Sequence, residues 1–596
     1  MKNNIFGFFA VILYAGLMTS CDIFKSPADD FDLESKKILE IINASSDTIT
    51  TPDYFPDKDV RKTLVKEFGE FYKLRDYKLA WVNFDEPSPQ VEDLLEAIDI
   101  AHIEGLEPDN YKVAEVENLL QEVYKIESRK ERRKRLKARK SKNEEIANEA
   151  KQQDTVKLYN LVRLDFLLTS SYLTYASHLL SGKINPDEKE AWFPAKREKD
   201  FAPYLNEALS KNNVKSSLME LVPKHKQYKK LKEALAQYQK ISEKEDWSSI
   251  APKKEVKTGS SDVVIPLLRR RLASTGDLEE RKINGKDSAI FNTDLVEALK
   301  GFQARHGLEE NGKLDQATLK AVNIPISERL AQLKLNLERM RWLPDSFGNK
   351  YILVNIPEYM LRIYNGDNVD MEMKVIVGKI VNATPIFSDL MEYIVFSPTW
   401  TVPKSIGVEE MLPKLKEDPE YLTKKNFKLY DSWEKDAEPI NPQDIKWEDV
   451  EEENFNFRIV ENPGKGNALG SVKFMFPNDL DIYLHDTPAG HLFDRKERSF
   501  SHGCIRVEKP SELAEYLLHD NKEWDKEKIK EAMAQEEPEN VKLTEKVSVH
   551  LVYWTAWVND NDKINFRDDI YMLDRNQLKQ IENKEKQMVI SKNQNN

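Results

Sequence analysis

The residues able to do chemistry gather between Tyr483 and Val507, in the run YLHDTPAGHLFDRKERSFSHGCIRV. This run holds His485, His491 and His502, three of the nine histidines, and Cys504, one of only two cysteines. A free thiol titrates at about 8.5 and needs a base or a cationic neighbour to act as a nucleophile near neutral pH. The residues before His485 alternate as in a strand, so Tyr483 and His485 are expected on one face. The run from Ser501 also alternates, which predicts His502, Cys504 and Arg506 on one face. Between His485 and Ser501 the chain carries proline, glycine and mixed charge. It reads as a loop long enough to lay the two strands side by side. Gly503 lets the backbone pass close to a substrate, and amides near Cys504 can then hold an oxyanion. Cysteine nucleophilic catalysis with His485 as the base fits this arrangement. Two other readings compete: Cys504 as a small core residue, and His485, His491, His502 and Cys504 as a zinc set. The spacing offers no close CxxC or HxxxH pair, which speaks against metal.

The pattern His485-x15-Ser501-His502-Gly503-Cys504-Ile505-Arg506 resembles the signature of the L,D-transpeptidases, cell-wall enzymes with a YkuD-type catalytic domain. The resemblance implies Cys504 as nucleophile, His485 as its general base, and His502 with Gly503 shaping the oxyanion region. It implies Tyr483 lining the pocket, Ser501 beside the substrate, and Arg506 supporting the site or a substrate carboxylate. Trp400, in the similarly family-like FSPTWTVP, is the aromatic expected near the substrate. His491 takes no role. The implied reaction starts with attack on the carbonyl between the third and fourth residues of a peptidoglycan stem tetrapeptide. D-alanine leaves, and the acyl group passes to an amine of a second stem, giving a 3-3 cross-link. A hydrolase of the same fold, a non-catalytic wall-binding scaffold, and a transpeptidase that joins a protein to the wall are the alternatives. No organic cofactor and no metal are implied.

The elements that must position this site follow along the chain. Residues 1–20 carry Lys2, an apolar run and small residues, which reads as a signal peptide. Leu17-Met-Thr-Ser-Cys21 resembles a lipobox, so Cys21 is the expected lipidation site. That leaves Cys504 without a disulfide partner. A lipid-anchored tether over 21–56 leads to a helical scaffold domain over 57–247. There Leu94, Leu95, Ile98 and Ala101, then Leu167, Tyr172, Tyr175, Leu179 and Leu180, recur at helical spacing. This part resembles the scaffold domain of the large L,D-transpeptidases. Within it Arg129 to Lys142 is nearly all basic, consistent with a solvated helical extension or with contact to anionic lipids or wall polymers. After a polar linker from Ser248 to Ser261, residues 262–323 are expected to form a compact three-helix unit. Their text FQARHGLEENGKLDQATLKAVN resembles a peptidoglycan-binding module.

Ser327 to Met340 has one apolar face and is expected to dock that module on the catalytic domain. From residue 350 the period switches to two, and residues 350–575 are the expected catalytic domain. About 404–470 departs from that pattern and is predicted to be a helical capping subdomain, because a structureless loop of that length is improbable inside a domain. Residues 576–596 read as a polar, fraying tail. The fold class is multidomain α+β. The net charge of −13 over 596 residues argues against a nucleic-acid binder. The expected partners are peptidoglycan stems and glycan, the membrane through the lipid, and cell-wall synthesis proteins. The expected place is the periplasmic side of the cell envelope.

Overall fold

The helical periods of the N-terminal half fold as expected. The computed structural model describes residues 54–593 apart from 56, 125–133, 135, 136, 139–142, 187–190, 196, 245, 246, 285, 286 and 435. The signal peptide, Cys21, the tether as far as residue 53 and nearly all of the basic run lie outside the described residues. Leu94, Ile98 and Ala101 are buried on the Gln90–Asp99 helix and the turn after it. Leu167, Tyr172, Tyr175 and Leu179 are buried on the long Glu144–Ser181 helix, whose Asn143 side chain caps the Glu145 N–H. These faces meet in one apolar core with Phe68, Tyr72 and Trp81.

The expected linker after Ser248 is packed rather than loose. Ile250 and Val256 join the core of the three-helix module, Ile265–Ser274, Thr293–Arg305 and Gln316–Val322. The module rests on the catalytic domain: Arg305 pairs with Asp277 at 2.6 Å and donates to the Ile564 carbonyl at 3.2 Å.

The Ile326–Met340 helix does more than dock that module. It runs into Glu338-Arg339-Met340-Arg341-Trp342, and these residues reach both the scaffold and the catalytic side of the molecule. Glu338 accepts the Ile184 N–H of the scaffold at 2.8 Å and pairs with Arg341 at 2.8 Å. Arg341 also donates to Tyr228 Oη at 3.0 Å. Arg339 turns to the catalytic domain, with Asp574 at 2.8 Å, Gln577 at 2.9 Å and the Tyr553 carbonyl at 3.2 Å. Paired in this way, two guanidinium groups can sit out of water.

Among the described residues the catalytic domain is built on fourteen strands. They are β1 Lys350–Asn355, β2 Met360–Asn365, β3 Asn368–Gly378, β4 Ser388–Phe396, β5 Trp400–Thr401, β6 Phe427–Tyr430 and β7 Arg458–Glu461. Then come β8 Val472–Met475, β9 Leu484–His485, β10 Ser499–Ser501, β11 Ile505–Val507, β12 Glu539–Val552, β13 Ala556–Val558 and β14 Ile564–Phe566. The order β3-β11-β9-β8-β4-β12-β1-β2 closes on itself, because β2 pairs with β3 as well as β1. Closure leaves no bare edge there. The capping unit is mixed rather than helical. Short helices at Lys404–Ile406, Gly407–Met411, Leu412–Glu417 and Tyr421–Lys424 are followed by β6 and β7, and β7 pairs antiparallel with both β6 and the preceding β5. The unit closes over its own core of Leu415, Leu422, Leu429, Trp447 and Phe455. Phe427-Lys-Leu-Tyr and Arg458-Ile-Val-Glu carry the β-forming residues that make the difference.

The C-terminal residues are not a frayed tail either. Leu573–Asn593 is a helix that runs back to the scaffold, where Lys584 meets Asp57 at 3.1 Å and Glu585 meets Lys183 at 2.7 Å. A chain ending at Arg575 loses these pairs and the Gln577 partner of buried Arg339. Urea unfolding should show it destabilised by about 2 kcal/mol or more. A change within about 0.5 kcal/mol would restore the polar-tail reading.

Candidate active site

The site is set by two short neighbouring strands. β9 and β11 run parallel, with Ile505 opposite Leu484 and Arg506 opposite His485, and the Ile505 N–H donates to the Tyr483 carbonyl at 3.1 Å. Leu484, Ile505 and Val507 are fully buried in the barrel core. Their alternates Tyr483, His485 and Arg506 therefore share the opposite face, and Cys504 arrives across from Tyr483. β8 adds Lys473 directly opposite His485.

The structure departs from one continuous strand through Ser501 to Val507. The chain bends over residues 502–504, with Gly503 at φ +122°, a region that favours glycine. Ser501 explains the bend: its hydroxyl accepts the Gly503 N–H at 3.2 Å and donates to the Cys504 carbonyl at 2.6 Å. Ser501 is 2% exposed, and its hydroxyl shapes the turn. His502 is exposed at the same bend. Its Nε2 meets Glu410 of the capping unit at 2.8 Å. A second brace comes from Thr384, whose hydroxyl donates to the Gly503 carbonyl at 2.7 Å and accepts the Gly378 N–H at 2.9 Å. Tyr571 Oη then donates to the Gly378 carbonyl at 2.7 Å.

Cys504 is half-buried, and its thiol donates to the Asp481 carbonyl at 3.5 Å. Burial pushes the thiol up to about 11, against a lowering contribution from the Tyr483 backbone and hydroxyl. His485 is 4% exposed. Burial, with Arg506 second, brings its imidazole down to about 3, against the carbonyls of Asp486 and Leu469. The Asp486 carbonyl lies 2.6 Å from Nδ1 and can only accept, so Nδ1 carries the hydrogen and Nε2 is left as the basic nitrogen. Both shifts oppose charge separation. The resting pair is a neutral thiol and a neutral imidazole, and the hydrogen bonds of the described residues include none joining the two. Iodoacetamide labelling of Cys504 should therefore quicken about tenfold per pH unit between about pH 7 and about pH 9. A rate already flat at about pH 6 would instead reveal a preformed thiolate–imidazolium pair.

Of the other expected residues, Tyr483 sits between the two reacting groups. Its ring centre is 5.8 Å from that of His485, and its hydroxyl bonds to the Cys504 thiol. Trp400 is set in the capping sheet, its ring 6.4 Å from that of Phe427. His491 is exposed on the loop. Among the described residues no three His, Cys, Asp or Glu side chains gather as metal ligands. Four contributors escaped the sequence: Lys473, Thr384, Glu410 and Tyr571. Each lies outside the Tyr483–Val507 run and reaches it through pairings that no local pattern announces.

Family models match three stretches of the chain. They are a scaffold domain at residues 66–235, a "Putative peptidoglycan binding domain" at residues 264–322, and an L,D-transpeptidase catalytic domain at residues 349–532. A Haemophilus influenzae protein named "Putative L,D-transpeptidase" is 36% identical over 293 residues, covering 48% of this chain and 57% of that protein. The chain thus matches a little over half the length of that relative. A crystal structure of an L,D-transpeptidase from Xylanimonas cellulosilytica aligns at 13% identity, with 51% of this chain and 100% of that chain covered and a TM-score of 0.17. A fused Zn-dependent amidase/peptidase/peptidoglycan-binding protein from Clostridium acetobutylicum aligns at 12%, with 51% and 100% covered and a TM-score of 0.15. Scores so low carry no argument. The three matched domains do: this chain carries an L,D-transpeptidase catalytic domain behind a scaffold domain and a peptidoglycan-binding domain.

Proposed function

We propose that the protein is a cysteine-dependent peptidoglycan L,D-transpeptidase. The observation that carries this reading is the pairing of β9 with β11, which sets His485, Tyr483 and Cys504 together inside the matched catalytic domain. As Cys504 Sγ attacks the carbonyl of the third stem residue, its proton passes to His485 Nε2. The negative charge moves to the carbonyl oxygen. The Cys504 N–H, which donates in none of the hydrogen bonds of the described residues, and the Tyr483 hydroxyl are donors available to it. Collapse of the tetrahedral intermediate breaks the peptide bond, the imidazolium returns its proton to the leaving D-alanine amine, and a thioester remains. An amine of a second stem then attacks the thioester, His485 accepts its proton, and the thiol is restored as the 3-3 cross-link forms.

The peptidoglycan-binding domain would keep the enzyme on its polymeric substrate, and the capping unit would limit water at the thioester. Cys21, once lipidated, would tether the protein on the periplasmic side of the envelope beside other wall-synthesis proteins.

The deciding test mixes the protein with purified disaccharide-tetrapeptide and follows products by mass spectrometry. Dimers with loss of D-alanine are expected. Tripeptide alone would make the protein an L,D-carboxypeptidase, and no product from folded protein would remove the catalytic reading.

A further inference from the structure

Lys473 and Arg506 flank His485 in a single row. The register pairs Lys473 with His485 across β8 and β9, and His485 with Arg506 across β9 and β11. Two strand spacings place the outer backbones about 10 Å apart. Cys504 lies two residues before Arg506, and the Lys473 ammonium stands 5.5 Å from the centre of the Tyr483 ring. Both cations are largely withdrawn from water, and burial lowers the pKa of each. The Cys504 thiolate is the one group that opposes this in either case, and no carboxylate does. Arg506 Nε is buried without a hydrogen-bond partner. Arg339 Nη2 and Arg341 Nε of the linking helix lack such partners too among the described residues, but those guanidinium groups face carboxylates, Asp574 and Glu338. Two half-buried cations without an anion are costly unless a ligand supplies one.

We propose that Lys473, together with Arg506, binds the α-carboxylate of the residue that leaves the donor peptide. The inference rests on the reading of the site given above and deepens it. When Sγ attacks the penultimate carbonyl, the terminal carboxylate is three bonds from the attacked carbon, within reach of the row. One more residue at the C-terminus moves that carboxylate about 3.5 Å further off. The pair therefore selects a tetrapeptide over a pentapeptide. It also ties binding to activation. Burial chiefly holds the His485 imidazole neutral in the empty site, and the positive field of Arg506, with a smaller share from Lys473, adds to it. A carboxylate between them offsets that field, so the base strengthens once the donor is seated.

The test compares disaccharide-tetrapeptide ending in a free carboxylate with the same compound ending in a carboxamide, using the full chain. Wild type should favour the carboxylate in kcat/KM by roughly tenfold or more. Lys473→Met should abolish that preference, leaving the two substrates within about twofold of each other, and Lys473→Arg should restore most of it. Equal loss on both substrates, or no discrimination by wild type, would overturn the proposal. Calorimetric binding of both compounds to Cys504→Ala, with and without Lys473→Met, decides the point without turnover. There Lys473→Met should raise the Kd for the carboxylate alone, and an unchanged Kd refutes the pocket even if the protein proves to be no enzyme.

Discussion

Cys504→Ala should lower turnover of a stem tetrapeptide by about four orders of magnitude or more, while leaving the fold intact. The thiol supplies the covalent intermediate, and no neighbouring group can replace it. Tyr483 titrates far above neutrality, and Asp481 offers the thiol a backbone carbonyl, which cannot act as a nucleophile. His485→Gln should cost about 10²- to 10⁴-fold, the usual range for a general base. That loss should fall at the high end here, because burial holds the resting thiol at about 11 and leaves little thiolate without the imidazole. Product formation by mass spectrometry, with circular dichroism to show that each variant is folded, checks both. A Cys504→Ala protein that still forms dimers would end the cysteine mechanism.

Gly378→Ala should be the most damaging small substitution in the catalytic domain. An added Cβ would stand 2.0 Å from the Asn382 carbonyl oxygen and 2.8 Å from the Thr384 nitrogen. Both are backbone atoms, so no side chain can rotate aside. The Gly378 N–H and carbonyl are held by Thr384 and Tyr571, and Thr384 also holds the Gly503 carbonyl of the catalytic turn. The expected outcome is a loss of more than about 3 kcal/mol in urea unfolding, or failure to fold. A stable protein with normal turnover would mean that the 379–383 turn moves more freely than its hydrogen bonds imply.

Much of this molecule was legible because local patterns survive folding. The helical faces of Leu94 and Leu179 and the alternation within each of β1 to β3 are local to one element, and the His485-to-Arg506 signature to one contiguous stretch of chain. Features set by distant partners were not. The bend at His502 depends on the Ser501 hydroxyl turning inward, which an alternating pattern cannot foretell. Thr384 and Tyr571 reach the catalytic turn from either side of it in sequence, by more than a hundred residues in one case. The C-terminal helix looked like a tail because Lys584 and Glu585 hold it through charge pairs rather than an apolar stripe. Lys473 was unremarkable until β8 paired with β9 and set it beside the base.

The short charged stretch that closes the Ile326–Met340 helix has a further thermodynamic consequence. Glu338 and Arg341 bind the scaffold side, and Arg339, between them, binds the catalytic side. Unfolding either side alone would strand a buried charge whose counterpart had gone into solvent. Intermediates with one half melted are therefore raised in free energy. The two halves behave as a single cooperative unit, though their cores are separate and different in kind.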